Sequence, residues 1–382
     1  MAEIRRGDPF AEMDALYRDR RGAAARLKRQ GRRVVACMGG DVPEELIMAA
    51  GLTPVRLTSD LEAATPLADV YLGGMVDGDH RALLQLVLDG GYGDLDGLVI
   101  ARDTENLVRV FYTLRALSKT SPETVTKVPP FYFYDLLHMP QRTTGLYNRV
   151  RTRELRAKLA AWADVEITDA ALRGAIAACN ENRALLGQIR QHRIAGAPRL
   201  SGAEALKLAV TSRLMAKAQH TALLQTVLEA LPNRPALAGK RVFLTGSAHD
   251  DTAYYDLIEG CGAVIVGDDH GWGDRGFERL VEEDTSAPLD ALVDRYHFAP
   301  PVGAKYTVAE RAAYTGERAR EAKADAVIAI IKNGDPGPRW DVPAQREALG
   351  SIPLLLLDDQ ESRPKEPDTL KATITSFLEA GR

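Results

Sequence analysis

The chain has 382 residues, a formal net charge of -4 and a pI near 6.0, so no global basic field draws in nucleic acid. Hydrophobic residues make up 45% and charged residues 27%, a soluble composition with apolar material for two cores. No apolar run approaches the roughly 20 residues of a membrane span, and the charged N-terminal stretch from Met1 to Gly22 has no apolar signal core, so a cytoplasmic location is expected. Cys37, Cys179 and Cys261 are far apart and odd in number, which excludes a disulfide framework and any local CxxC motif.

Residues 8–30 read as one helix, with Leu16, Tyr17, Ala24 and Leu27 sharing a face. Val34–Cys37 is a short apolar strand. Asp41 follows as the predicted cap of a helix with Pro43, Glu44 and Glu45 in its first turn. Leu98–Ala101 is a second strand, leading into Arg102–Glu105 and the helix Leu107–Leu117. Val128–Tyr134 is a third, and its Phe131, Tyr132, Phe133 and Tyr134 read as strand core rather than a stacking platform. From about Arg151 to Leu231 the periodicity is helical. Strands then resume at Arg241–Gly246, Ala263–Val266, Asp325–Ile331 and Pro353–Leu357. These runs are continuously apolar, as strands covered by helices on both faces are, and their alternation with helices predicts parallel sheets. The expected fold class is α/β: two doubly wound parallel-sheet (Rossmann/flavodoxin-like) domains bridged by a helical segment. The expected divisions are an N-terminal helix (1–30), a first α/β domain (31–150), the helical segment (151–236) and a second α/β domain (237–382).

In such sheets ligands sit beyond the carboxyl ends of the strands. Those ends are Met38–Val42, Arg102–Glu105, Gly246–Asp251, Gly267–Arg275 and Lys332–Pro336. His249-Asp250-Asp251 and Asp268-Asp269-His270 end strand-like segments and would face one cleft. Imidazole beside carboxylate suits proton transfer near neutral pH, which makes His249, Asp269 and His270 the catalytic candidates. Asp268 with His270 is a weaker candidate for a hard or borderline metal; the plainer reading is helix caps and solvated loop charges. Arg102, Arg275 and Lys332 occupy the same loops and suit an anionic ligand. Asp41 to Glu44 exposes helix-start amides, but Glu44 and Glu45 oppose an anion there. Gly246-Ser247 lacks a nucleotide-loop pattern, and Ser247 with His249 forms no hydrolase triad. His138 reads as an ordinary loop residue, and His297 as a side chain near the cleft.

An ordered set of segments resembles the 2-hydroxyacyl-CoA dehydratase / benzoyl-CoA reductase subunit family over residues 8–375. Gly31 to Val35, Val42 to Gly51 and Pro54-Val55-Arg56 resemble the opening of its subunits. Ile176 to Arg183 and Leu200-Ser201-Gly202 resemble its helical segment, and Leu244 to Ser247, Ile258-Glu259 and Val264 to Arg275 its second domain. The resemblance implies acyl-CoA chemistry, either dehydration or ring reduction, at a [4Fe-4S] cluster held by three cysteine thiolates. The positions where the family places those cysteines are here Gly39, Thr104, Gly271 and Gly334, none of which has sulfur. A cysteine-deficient member is therefore expected, with no cofactor of its own and the cluster in a partner subunit.

The resemblance further implies a homologous cluster-bearing chain as heterodimer partner, an ATP-dependent activator, and an acyl-CoA ligand held by Arg102, Thr104, Arg275 and Lys332. Two other readings compete: a cluster-free enzyme using His249, Asp268, Asp269 and His270, and a non-catalytic acyl-CoA-binding or scaffold protein.

Overall fold

A computed structural model describes residues 8–139, 141–301 and 306–380. The first seven and last two residues, which belong to the expected terminal segments, and Pro140 beside His138 lie outside the described residues.

Among the described residues, eight strands form two sheets. The first contains β1 (Val34–Met38), β2 (Thr53–Arg56), β3 (Gly97–Ala101) and β4 (Phe131–Tyr134), and the second β5 (Lys240–Gly246), β6 (Ala263–Asp268), β7 (Ala326–Lys332) and β8 (Leu354–Gln360). Their orders are β2-β1-β3-β4 and β6-β5-β7-β8, with every neighbouring pair parallel. The chain is α/β with two parallel four-stranded sheets of Rossmann/flavodoxin-like type. Strand order reverses between β1 and β3 and again between β5 and β7, so each sheet has a switch point where its carboxyl-end loops diverge.

The continuous apolar runs have a simple cause: alternate side chains serve different cores. Val34, Ala36 and Met38 join a cluster that also takes Val242 and Leu244 of β5 and Ile328 and Ile330 of β7. Val35 and Cys37 point the other way, towards Leu155, Leu159, Leu172 and Ile176 of the helices Arg142–Ala163 and Asp169–Ile194. Phe243 and Val327 face a third cluster with Ala319 and Leu349. The helix Gly202–Thr211 contributes Leu206 and Val210 to the cluster shared by both sheets.

Four sequence expectations change. The N-terminal helix is broken: Pro9–Arg18 and Ala23–Arg29 are separated by a tight 3-10 turn over Arg20–Gly22. Tyr17, Ala24 and Leu27 enter the shared core, whereas Leu16 packs against the separate helical cluster around Met13 and Leu224. β2 is a full member of the first sheet although its four residues Thr53, Pro54, Val55 and Arg56 carry a weak apolar signal. β4 begins at Phe131 rather than Val128, because Pro129 and Pro130 donate no ladder hydrogen bond. Asp41 caps nothing. Pro43 holds the cap position of the helix Glu44–Ala49, and Asp41 instead sits 2.9 Å from His138 Nε2. No helix among the described residues is long and apolar enough to cross a membrane.

Candidate functional site

The carboxyl-end loops of the two sheets meet. Arg56 ends β2, donates to the Gly271 carbonyl at 2.8 Å, and lays its guanidinium over the Trp272 ring at 3.7 Å. Asn106 donates to Asp77 Oδ2 at 2.7 Å and to the Gly334 carbonyl at 3.0 Å. Ser59 N and Oγ reach the Asp250 carboxylate at 2.9 and 3.2 Å. Lys332 Nζ pairs with Asp79 and donates to the Ala248 carbonyl at 2.7 Å. Each contact joins a loop of one sheet to an element of the other, apart from the local Asn106–Asp77 and Lys332–Ala248 bonds.

Gly39, Thr104, Gly271 and Gly334 all lie in these loops. Thr104 caps the helix Glu105–Thr120 by accepting from Leu107 N, and its hydroxyl is 3.3 Å from His80 Nε2. Two of the glycine positions, Gly39 and Gly334, are closely walled, and Gly271 faces one side-chain end. A Cβ on Gly39 would lie 3.0 to 3.1 Å from Asp103, Ala101 and Leu107, and one on Gly271 would lie 3.2 Å from Arg275 Nη1. At Gly334, where φ is +82°, it would come within 2.5 Å of the Asp77 amide nitrogen. The three thiols do not converge there. Cys37 is buried in β1 and its thiol is pushed up to about 12 by burial. Cys179, 3.6 Å from Met48 Sδ, is pushed up to about 11 for the same reason. Cys261 lies near the Leu257 and Lys371 carbonyls, away from the loops. Such donors do not fit a [4Fe-4S] cluster, which needs converging thiolates. Among the described residues, no group of three His, Cys, Asp or Glu side chains is arranged to hold a metal ion.

The His/Asp loops do come together, with the His249 and His270 rings 5.7 Å apart. Their polar atoms are largely committed. His270 Nε2 meets the Tyr255 hydroxyl at 2.7 Å and Nδ1 accepts from Trp272 N at 3.3 Å; burial pulls its pKa down to about 4. Asp268 is held by Arg193 Nη2 and Asp274 N, both at 2.9 Å. Asp269 accepts from the Thr245 and Thr315 hydroxyls at 2.9 and 2.6 Å, and burial pushes its carboxyl up to about 7. His249 is buried against Tyr254, its Nε2 makes no hydrogen bond, and burial drives its pKa well below the ordinary value. Arg102 is exposed near Asp135 at 3.4 Å. His297 Nδ1 accepts from Asn148 at 2.7 Å.

Arg275 is placed differently. It lines a hollow of about 370 Å³, partly open to solvent, bounded by the Gly40-Asp41 and Gly271 loops and by Arg279, Arg295, Tyr296 and Pro300. Arg279 and Arg295 were not singled out from the sequence, because neither lies in a strand-end loop; Arg295 is carried in by the helix Pro288–His297. A second hollow of about 250 Å³ shares Gly40 and is lined by Cys37, Gly39, Glu44, Arg56 and Arg213. There Glu44 is held by Arg213 and by Lys217 at 2.7 Å. The neighbouring Glu45 is held by Arg183 at 2.6 Å and the Tyr296 hydroxyl at 2.9 Å. The acids that looked repulsive to an anion are thus already neutralised by buried cations.

Residues 40–380 match the family described as 2-hydroxyglutaryl-CoA dehydratase, D-component. Among curated relatives, lactoyl-CoA dehydratase subunit beta of Anaerotignum propionicum is 26% identical, covering 91% of this chain and 92% of its own length. The (R)-phenyllactyl-CoA dehydratase beta subunit of Clostridium sporogenes is 22% identical, covering 92% and 93%. A benzoyl-CoA reductase subunit of Thauera aromatica is 25% identical over 69% of this chain and 68% of its own.

Proposed function

The chain belongs to the 2-hydroxyglutaryl-CoA dehydratase D-component family, and on that premise we propose that it is the subunit of a 2-hydroxyacyl-CoA dehydratase or benzoyl-CoA reductase-like complex that brings no cluster ligands. In this reading a homologous chain holds the [4Fe-4S] cluster, and this chain supplies one wall of the acyl-CoA cleft. One observation carries it: the family scaffold is retained while Gly39, Thr104, Gly271 and Gly334 offer no thiolate, and Gly39 and Gly334 are walled in by neighbouring atoms. The beta-subunit names of the relatives support a role beside a partner. Arg275, beside Gly271 at the meeting point of the loops, is a cleft residue with N–H groups still open to a ligand. Lys332 is committed to Asp79 and orients the loops instead.

The test is iron and sulfide analysis of the chain purified alone and after co-expression with a cysteine-bearing homologue. The expected result is a colourless chain alone and a coloured heteromer, with an interface on the order of 2,000 Å² or more for an obligate pair. A four-iron cluster held by the isolated chain, or failure of the two chains to associate, overturns the proposal.

A further inference from the structure

We infer that Arg275, Arg279 and Arg295 form a binding site for a phosphate-type oxyanion. The inference does not rest on the partner-subunit reading, since all three side chains belong to this chain.

The argument begins from what the arginines lack. Several buried arginines elsewhere answer to carboxylates: Arg183 to Glu45, Arg190 to Asp274, and Arg193 to Asp268 and Asp274. Around the hollow, none of the three forms an ion pair among the described residues. Arg275 Nε donates to the Pro300 carbonyl at 3.0 Å. Arg279 Nη1 donates to the Phe298 carbonyl at 2.9 Å. Arg295 donates from Nε to the Arg279 carbonyl at 2.8 Å and from Nη2 to the Gly276 carbonyl at 3.1 Å, with its guanidinium over Tyr296.

Carbonyls orient a guanidinium without cancelling its charge. Each arginine is therefore fixed in direction and keeps N–H donors in reserve, the arrangement that recognises phosphate through paired donors. Arg295 is 7% exposed, and burial with Arg183 close by pulls its pKa down to about 10. Glu45 acts on Arg295 from beyond ion-pairing distance and offsets only part of that cost, so a further anion in direct contact would stabilise the buried cation. Asp41, the acid lining the hollow, is already beside His138, and Glu44 and Glu45 have their own cations.

Charge and size narrow the ligand. Three guanidiniums with no free carboxylate favour a multiply charged group over a monocarboxylate. The hollow between the three arginines is small and partly open to solvent. It suits a phosphate or diphosphate, either free or as part of a larger molecule whose remainder extends outward.

The experiment titrates the full chain with inorganic phosphate, pyrophosphate, acetate and coenzyme A at constant ionic strength, by calorimetry and thermal shift. Pyrophosphate or phosphate is expected to bind and to raise Tm, and acetate to do neither. Arg279→Gln, at the surface, and Arg275→Gln are each expected to weaken binding by about tenfold or more, as loss of a charge-assisted hydrogen bond should. Arg346→Gln, an exposed arginine on another helix, is expected to change nothing. If coenzyme A competes with pyrophosphate, the oxyanion is part of that ligand; if pyrophosphate binds without competition, it is free; both outcomes support the site. Absence of binding by phosphate and pyrophosphate at millimolar concentration overturns it, as does equal weakening by Arg346→Gln.

Discussion

Asp269 is a carboxyl that the fold keeps from water, between two threonine hydroxyls and beneath the loop that carries Arg275. Burial outweighs those hydroxyls and holds its pKa up at about 7, against an ordinary 3.8. The folded chain therefore retains a proton that the unfolded chain has released between those values, and stability from this group falls as pH rises through that window. The slope is at most about 1.4 kcal/mol per pH unit. Asp269→Asn removes the titration while keeping an acceptor for the threonines. Thermal melts at pH 5 and pH 8 should show the variant gaining on the parent at the higher pH by on the order of 1 kcal/mol or more. An unchanged difference between the two pH values would count against an ionisable buried Asp269. Sequence position alone put this residue at a strand end; its two hydroxyl partners come from residues 24 and 46 positions away. Arg275 was legible in the sequence because it lies in a strand-end loop, and Arg295 was not because the helix Pro288–His297 carries it in.

Among the elements, the helix Asp169–Ile194 braces both sheets. Arg183 reaches Glu45 beside the first sheet, while Arg190 and Arg193 reach Asp274 and Asp268 at the end of β6. The helical period of this stretch was plain in the sequence; the buried arginines on its inner face were not, because an Ala- and Arg-rich helix reads equally well as solvent-facing. Arg193 is 1% exposed, bonded to Asp268, Asp274 and the Ile265 carbonyl. Arg193→Met would strand the buried Asp268 carboxylate and leave Asp274 with Arg190 alone, and breaking a buried pair in this way costs about 3–5 kcal/mol. Urea unfolding should show that loss, whereas Arg102→Ala, at an exposed pair, should stay within about 0.5 kcal/mol. Strands were legible where both faces are buried, as in β1, β3, β5 and β7. β2 was not, because its Thr53, Pro54 and Arg56 become buried only through the helices and loops around them.

At the scale of the whole molecule, the two sheets share strand order and meet at their carboxyl ends, and their mutual contacts decide what the meeting point can hold. Gly334 is pressed on the Asp77 backbone, its carbonyl fixed by Asn106, while Lys332 two residues earlier is pinned to Asp79. A side chain at 334 must push two sheets apart and adopt a positive φ that only glycine takes easily. Gly334→Ala alone should therefore lower unfolding stability by about 1–3 kcal/mol, as overpacking does. The same obstruction governs any attempt to rebuild a cluster here. In a variant combining Gly39→Cys, Thr104→Cys, Gly271→Cys and Gly334→Cys, the new thiols would have to displace the Asp103 and Arg275 side chains as well as the Asp77 backbone. Anaerobic reconstitution with iron and sulfide should give far less than one cluster per chain and a lowered melting temperature. A full complement of iron with the spectrum of a four-iron centre, at unchanged stability, would mean that the sheets separate easily and that the missing sulfurs alone set this chain apart.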